Sequence, residues 1–467
     1  MQTSSAPLFD ILGIGFGPSN MALAIAMDDL ELNYASRSTH QGTRKFSRCF
    51  IEKQEQFMWH GGMLLPFSDM QISFMKDLVS LRNPTSPFTF INYLRQCNRL
   101  EAFINRKTFF PSRIEFNAYL TWVANHFKDR CSYGESVSHI TPEYSNRRVS
   151  ALNVHSHDRS GREITRRARS LVMAVGGKAY VPEPFATMKD TRIIHSSQYL
   201  TTIAQRKNDL LTPLSIAVIG SGQSAAEILL DLYDRFPNAN IDLIMRSSNL
   251  KPSEDGPSIN TIFNPSYTDF FYSQSQSARN VLLQEFRNTN YAVVDADLIE
   301  KITEILYEQD VMGAGRLRLL TAASIQHVNK HTDHISMGLV QRNQHQEIIN
   351  RYQLVVLATG YTRDHNRELL KGLEEELPEF NISRHYQLKT PEHFIPPIFI
   401  QGASENTHGL ADTLLSVIAI RSQEIAESLT QCLEQPLPLY PLPSRSPAAV
   451  HINRREIPAS LFAKEAQ

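Results

Sequence analysis

The chain has 467 residues, with 47 lysines and arginines against 48 aspartates and glutamates and a net charge of −1. At roughly 150 residues per domain this length predicts about three domains, or two with long insertions. Hydrophobic residues at 42% and charged residues at 20% permit large cores and exclude general disorder. Charge neutrality argues against a dedicated nucleic-acid binder, which presents a basic face.

Apolar runs such as residues 171–175 and 395–400 are too short to span a bilayer. No Lys or Arg precedes an apolar stretch at the N-terminus, so no secretory signal peptide is expected. Cys49, Cys97, Cys131 and Cys432 lack paired spacing, which predicts neither a disulfide framework nor a metal site. The expectation is a soluble protein of the reducing cytoplasm.

In chain order, the first signal is an apolar strand over residues 8–14, the turn Gly15-Phe-Gly17-Pro-Ser-Asn20 and an alanine-rich helix. Gly15 permits the tight turn, and Gly17 lets backbone approach a pyrophosphate that would sit on the helix N-terminus. The usual third glycine is replaced by Asn20. Residues 31–45 are polar and predict a surface loop, followed by the strand Cys49-Phe50-Ile51-Glu52. Glu52, 37 residues after Gly15, is placed to hold a ribose hydroxyl; the usual spacing is about 20 residues, and the loop accounts for the excess.

Next comes the cluster Trp59-His60-Gly-Gly-Met63, then Met70-Gln71-Ile-Ser73-Phe-Met-Lys76. An aromatic ring and an imidazole can line an isoalloxazine, and Lys76 is a candidate anion clamp; a core tryptophan and a surface lysine are the alternatives. A strand over residues 171–175 ends in Gly176-Gly177. The grammar of strand, glycine turn and helix then recurs at residues 214–232, with Gly220, Gly222 and Ala225 in the turn. The following strand, residues 241–245, ends in Arg246, 26 residues beyond Gly220. An acid there would repel a 2′-phosphate, whereas arginine attracts it, so this turn favours NADP over NAD.

These signals predict an α/β protein with two Rossmann-like dinucleotide-binding domains, one for FAD and one for NADPH, and a small substrate-binding region. The apolar strands that end in small residues, over residues 171–177 and 354–361, are each expected to return the chain to the first sheet, so the second domain is inserted in the first. Residues 1–212 and 353–430 would form the FAD domain and residues 213–352 the NADPH domain, each with substrate-binding elements. Residues 431–467, with Pro436-Leu-Pro-Leu-Tyr-Pro-Leu-Pro443, would form an extended tail. A flavin disulfide reductase is disfavoured because Cys49 and Cys97 stand 48 residues apart.

Several words run in one order over about residues 8–430: Gly13-Ile-Gly-Phe-Gly-Pro-Ser-Asn20, Trp59-His60-Gly61, Met70-Gln-Ile-Ser-Phe-Met-Lys-Asp-Leu78, Leu81-Arg-Asn-Pro84, Gly222-Gln-Ser-Ala-Ala-Glu227, Asn288-Thr-Asn-Tyr291, Leu357-Ala-Thr-Gly-Tyr361 and His408-Gly-Leu410. Together they resemble the flavin-dependent N-hydroxylating monooxygenases, in particular the L-ornithine N5-monooxygenases of siderophore biosynthesis. The resemblance implies that Gly15, Gly17, Asn20 and Glu52 contact FAD, that Trp59, His60 and Gln71 surround the flavin ring, and that Gly220, Gly222, Ser224 and Arg246 bind NADPH. It implies that Lys76, Asn260 and Asn290 hold the amino-acid carboxylate and α-amino group, with Ser416 near the substrate on a helix following His408 that faces the flavin.

The implied reaction is reduction of FAD by NADPH, followed by O2 addition to give a C4a-hydroperoxyflavin shielded by retained NADP⁺. The substrate's primary amine then attacks the distal oxygen. No side chain is identified as a general base. A homotetramer is implied by the resemblance alone. Residues 255–261 depart from the family's Ser-Pro-Phe-Val-Asn-Glu word, with Ser258 in place of an aromatic and Thr261 in place of an acid. That leaves L-lysine, a diamine or histamine open as the amine. Gln353 replaces a common acid, a change read as conformational. A nucleotide-binding module without oxygenation is the reading from another class.

Overall fold

A computed structural model describes residues 6–37, 45–206, 209–254, 256–342 and 346–434. Its frame is two five-stranded, wholly parallel sheets. The first runs Ile398–Ile400, Leu171–Met173, Ile11–Ile14, Arg48–Glu52, Cys131–Tyr133. The second runs Ile193–His195, Leu354–Leu357, Ser215–Ile219, Asn240–Ile244, Leu317–Leu320. Ile11–Ile14, Leu171–Met173, Leu354–Leu357 and Ile398–Ile400 are buried along their whole length, as strands covered on both faces must be.

The two sheets share one plan. Counted from its glycine-turn strand, each starts in the middle, moves outward by two strands, and crosses to the other side for its fourth; the edge strand Ile193–His195 enters the second sheet before that count begins, whereas Ile398–Ile400 closes the first after it. Each crossover is an antiparallel meander: Glu135–Ser145, Arg148–Asp158 and Glu163–Ala168 in the first, and Ala323–Lys330, Ile335–Gln341 and Ile348–Tyr352 in the second. Leu8–Phe9, expected as part of the first strand, instead pairs in parallel with Glu163–Ala168, and the core strand begins at Ile11.

The fourth strands correct the expected domain boundaries. Leu171–Met173 lies in the first sheet as anticipated, but Leu354–Leu357 pairs with Ser215–Ile219 and Ile193–His195 in the second. Hydrophobicity alone does not distinguish the two sheets, because both demand the same short apolar run. The second sheet therefore draws on residues 193–357 rather than 213–352, and the chain re-enters the first sheet only at Ile398–Ile400. Gln353 supports that placement: its side chain accepts from Ser215 N and its own N–H donates to Ser215 O, both at 2.8 Å. Immediately beyond the fourth strands, Lys178–Ala179 and Tyr361–Thr362 pair as a two-stranded antiparallel ribbon joining the two units.

The helix Pro18–Arg37 opens on proline, whose missing N–H falls where no helical partner exists. It runs through residues 31–37, so the polar stretch expected as a loop is partly helical; residues 38–44 lie outside the described residues. Its apolar side, including Leu23, Ala26 and Met27, packs against the last helix, Ile418–Glu434. That helix takes up residues 431–434 of the expected tail, and the remainder of the tail lies outside the described residues.

Between Arg48–Glu52 and Cys131–Tyr133 a helical region forms around aromatic rings. Phe90, Tyr93, Phe116 and Tyr119 have centroids 5.4–5.9 Å apart. The segment between Asn240–Ile244 and Leu317–Leu320 contributes the helices Pro265–Ser273, Gln276–Glu285 and Ala296–Met312.

Candidate functional site

Both glycine turns are built the same way. Gly15 has φ +81°, and a Cβ there would lie 2.4 Å from Ala174 O; Gly220 has φ +150°, and a Cβ would lie 2.4 Å from Ala358 O. Ala174 and Ala358 each follow the fourth strand of their sheet, so each turn presses into the crevice where strand order reverses. Gly17 has nothing within 4 Å of a Cβ position, which leaves open space above the first turn. The helix that follows has no acid in its first turn, so its N-terminal amides can meet an anion. Gly222 caps the helix Gln223–Arg235, with Ser224 half-buried in its first turn and likewise no acid there.

Asn20 acts beneath the first turn. Fully buried, it donates to Gly15 O at 2.7 Å and accepts from Gln401 Nε2 at 3.0 Å. The amide shapes the turn where a third glycine would otherwise allow close packing, and it touches no open space. Glu52 is also buried: Oε2 accepts from Phe16 N at 2.8 Å and Oε1 from Gln54 N at 2.9 Å. Its carboxylate is thereby fixed at the edge of the turn with lone pairs to spare. Arg246, after the second strand of the second sheet, is exposed and makes no ion pair among the described residues.

Trp59 and His60 stand on a loop held by Trp59 N donating to Asn117 Oδ1 at 2.8 Å. The short helix Gly61–Met63 rests on Ser196–Gln198, and a Cβ on Gly62 would fall 2.1 Å from Ser197 O. Ring centroids continue from Trp59 to His60 at 4.8 Å, from His60 to Tyr361 at 6.2 Å and from Tyr361 to His195 at 5.1 Å. The loop expected beside the flavin therefore sits at the seam between the two units. Gln71 donates to Asp295 Oδ1 at 3.0 Å, a partner that sequence gave no reason to expect.

Lys76 ends the short helix Phe74–Lys76 and is half-buried without an ion pair among the described residues; desolvation lowers its pKa from the ordinary lysine value. That helix touches Leu415–Val417, which carries buried Ser416 and in turn contacts Leu410–Thr413. Leu410–Thr413 meets Ile259–Phe263, which carries half-buried Asn260. Asn290 is half-buried, and its neighbour Tyr291 donates to Glu405 Oε2 at 2.5 Å. Burial, then the Glu405 charge, pushes Tyr291 up to about 12, and burial raises Glu405. Residues 405–417 thus gather the segments bearing all four expected substrate residues.

One expectation changes here. No long helix follows His408 directly: two short helices intervene, and the α-helix begins at Ile418. His408 itself is buried, stacked 4.2 Å from Tyr386, and bonded to Thr407 Oγ1 and Arg384 O; desolvation lowers it to about 4. Ser258 and Thr261 are exposed and hydrogen-bonded to each other at 2.7 Å, so the departure from the family word falls on a solvent face; Asp255 lies outside the described residues.

Sequence reasoning missed two buried ion pairs. Arg113 holds Glu227 with two 2.7 Å hydrogen bonds, joining the aromatic helices to the second glycine-turn helix. Arg421 pairs with Asp412 at 3.0 Å and reaches Ser19 Oγ at 2.9 Å, at the start of the first glycine-turn helix. Glu227 stood in a recognised word, but Arg113 is 114 residues away from it, so spacing carried no signal.

Comparison with known proteins agrees with this geometry. The family described as L-lysine 6-monooxygenase/L-ornithine 5-monooxygenase matches residues 7–363. The L-ornithine N(5)-monooxygenase of Pseudomonas aeruginosa is 44% identical over 433 residues, covering 92% of this chain and 96% of that protein. The structure of ornithine hydroxylase from the same organism superposes with a TM-score of 0.86, covering 92% of this chain and all of the other. An ornithine N-hydroxylase from Kutzneria sp. 744, whose structure is described with reduced FAD, NADP⁺ and L-ornithine, is 32% identical with a TM-score of 0.83, covering 91% and 99%. The chain belongs to the L-lysine 6-monooxygenase/L-ornithine 5-monooxygenase family, the flavin-dependent N-hydroxylating monooxygenases.

Proposed function

We propose that this chain N-hydroxylates the side-chain primary amine of L-ornithine, using FAD in the first glycine-turn unit and NADPH in the second, in the making of hydroxamate siderophores. The observation that carries the substrate is the convergence of the Lys76, Asn260, Asn290 and Ser416 segments on residues 405–417, with Lys76 a desolvated cation lacking an ion pair among the described residues. The residues fit the two nucleotides: Gly17 leaves the space a pyrophosphate needs, and Arg246 is free for a 2′-phosphate.

When bound, the flavin supplies two-electron transfer from NADPH and activation of O2. Everything else falls to the chain. Lys76 takes the carboxylate in a charge-assisted hydrogen bond, and Asn260 and Asn290 fix the α-amino end, so the register of the side-chain nitrogen is set. Trp59, His60 and Gln71 line the flavin side, where His60 and Gln71 present exposed faces that a bound ring would cover. The amine must be neutral to act as a nucleophile, and desolvation of the bound amine would lower its pKa. His408 is not the base, since both its ring nitrogens are engaged internally. One methylene separates lysine from ornithine, worth roughly 1–3 kcal/mol by contact alone, so L-lysine is expected as a poor substrate.

The test offers L-ornithine, L-lysine, putrescine and histamine to FAD-loaded protein with NADPH and O2, following hydroxylated amine, NADPH oxidation and peroxide. Product from ornithine in preference to the rest is expected. Product only from an amine without a carboxylate would remove the clamp from the account.

A further inference from the structure

Asp295 joins segments that the site keeps far apart in sequence. Its Oδ1 accepts from Gln71 Nε2 at 3.0 Å and from Ser253 Oγ at 3.5 Å, and its Oδ2 accepts from Gln223 Nε2 at 2.9 Å. Its own backbone N–H donates to Gln223 Oε1 at 2.9 Å, which closes a two-bond ring between the two residues. Gln223 begins the helix after the Gly220–Gly222 turn, and Gln71 belongs to the stretch running from the flavin-side loop to Lys76. Ser253 lies on the strand-like pairing of Pro252 with Val294, upstream of Asn260.

The residue type and its position make this arrangement informative. Asp295 is the N-cap of Ala296–Met312, where aspartate ordinarily folds its carboxylate back onto its own helix's amides. Here the side chain makes no such bond, and both oxygens serve other segments instead. The chain of contacts continues, because Gln223 Nε2 also donates to Glu227 Oε1 at 3.0 Å, and Glu227 is held by Arg113 beside the aromatic helices. A polar line therefore runs from the flavin-side stretch through Asp295 to the second nucleotide turn.

Resting on the flavin and NADPH reading given above, we propose that Asp295 is a positioning residue for hydride transfer, setting the second nucleotide turn against the flavin-side stretch through Gln223 and Gln71. Hydride transfer tolerates little misplacement, since an error of about 1 Å can cost on the order of 100-fold. Asp295 reaches the second turn only through the Gln223 side chain, so its loss should affect the rate of transfer more than the binding of either nucleotide.

The experiment compares FAD-loaded full-length protein with Asp295→Ala and Asp295→Asn. It measures anaerobic bleaching of the flavin by NADPH, NADP⁺ affinity by calorimetry, and hydrogen exchange of peptides covering Gln71 and Gln223. Asp295→Ala should reduce flavin about 10- to 100-fold more slowly. NADP⁺ affinity should be nearly unchanged, and exchange should rise in both peptides together. Asp295→Asn keeps one acceptor for Gln223 Nε2, and a flipped Gln71 amide can accept from its nitrogen, so most of the rate should return. Wild-type reduction in Asp295→Ala would overturn the proposal. So would faster exchange confined to Ala296–Met312 with both variants equally slow, the signature of a plain helix cap. If NADPH fails to reduce the flavin of the unaltered protein, the cofactor reading fails; the exchange arm then still decides whether Asp295 couples the two segments.

Discussion

Replacing Arg113 by methionine tests the seam between the aromatic helices and the second nucleotide unit. Glu227 is 1% exposed, and Arg113 is its cationic partner through two 2.7 Å bonds. Removing one member of a buried pair typically costs about 3–5 kcal/mol, because the other charge is left without compensation. At about 2.1 cal/mol/K of unfolding entropy per residue, cooperative unfolding of all 467 residues would convert that loss to a fall in Tm of roughly 3–5 °C. The pH dependence gives a sharper reading. Burial raises Glu227 above the ordinary 4.5, and Arg113 opposes that rise. Without Arg113 the folded state holds the Glu227 proton to higher pH than the unfolded state does. Stability therefore falls as pH rises above the unfolded value, by at most about 1.4 kcal/mol per unit, and is recovered on acidification. Thermal melts from about pH 5 to 8 should show Arg113→Met diverging from the parent as pH increases, and Arg113→Met/Glu227→Gln returning most of the loss because no charge is left buried. A single variant that tracks the parent at every pH would mean that Glu227 is solvated by another route, and the seam argument would fail.

Lys76→Ala should raise the KM for ornithine by roughly 10- to 100-fold, the equivalent of a charged hydrogen bond, while NADPH-driven flavin reduction stays near the parent rate; equal loss in both assays would make Lys76 structural. Arg246→Ala should weaken NADPH by a similar factor and leave NADH nearly untouched, read by comparing KM for the two coenzymes. His408 is depressed to about 4 against an ordinary 6.5, so the unfolded state binds the extra proton between those values and stability drains away as pH falls through that window. His408→Gln should therefore lose less stability between pH 6.5 and 4 than the parent; parallel melting curves would show that His408 does not titrate differently on folding.

The duplicated plan was legible because it depends on local chemistry. Two apolar runs ending in Gly15 and Gly220 require parallel strands feeding helices, and the structure supplies both. The sheet to which Leu354–Leu357 belongs was not legible, since burial on both faces writes the same residues into either sheet. Residues 31–37 misled for a related reason: a polar composition reads as loop, whereas the backbone stays helical to Arg37. At the site, words such as Gly222-Gln-Ser-Ala-Ala-Glu227 marked the right segments, yet the partners of Gln223 and Glu227 lie 72 and 114 residues away. Asn20 shows the limit from the other side: its side-chain amide bonds Gly15 O and Gln401 Nε2, and nothing in the spacing of the glycine turn signals a partner as distant as Gln401.

The two buried ion pairs explain how the site holds its geometry across so many segments. A buried pair adds little stability over a well-packed apolar replacement, so its location is more informative than its strength. Arg421 and Asp412 are both almost fully buried; Asp412 accepts from Ser404 N at 2.6 Å, while Arg421 reaches Ser19. That pair ties residues 404–417, on which the substrate segments converge, to the helix after the first glycine turn. Arg113 and Glu227 do the same for the helix after the second turn, and Gln223 and Asp295 extend the tie to Gln71. Apolar packing could join the same surfaces but would tolerate sliding, whereas the Arg113–Glu227 fork, and the Arg421 guanidinium bonded to both Asp412 and Ser19, fix distance and direction together. Under the proposed function, each glycine-turn helix is thus locked in register with the segments proposed to meet its nucleotide, which is the condition a reaction between two cofactors and a small amine imposes.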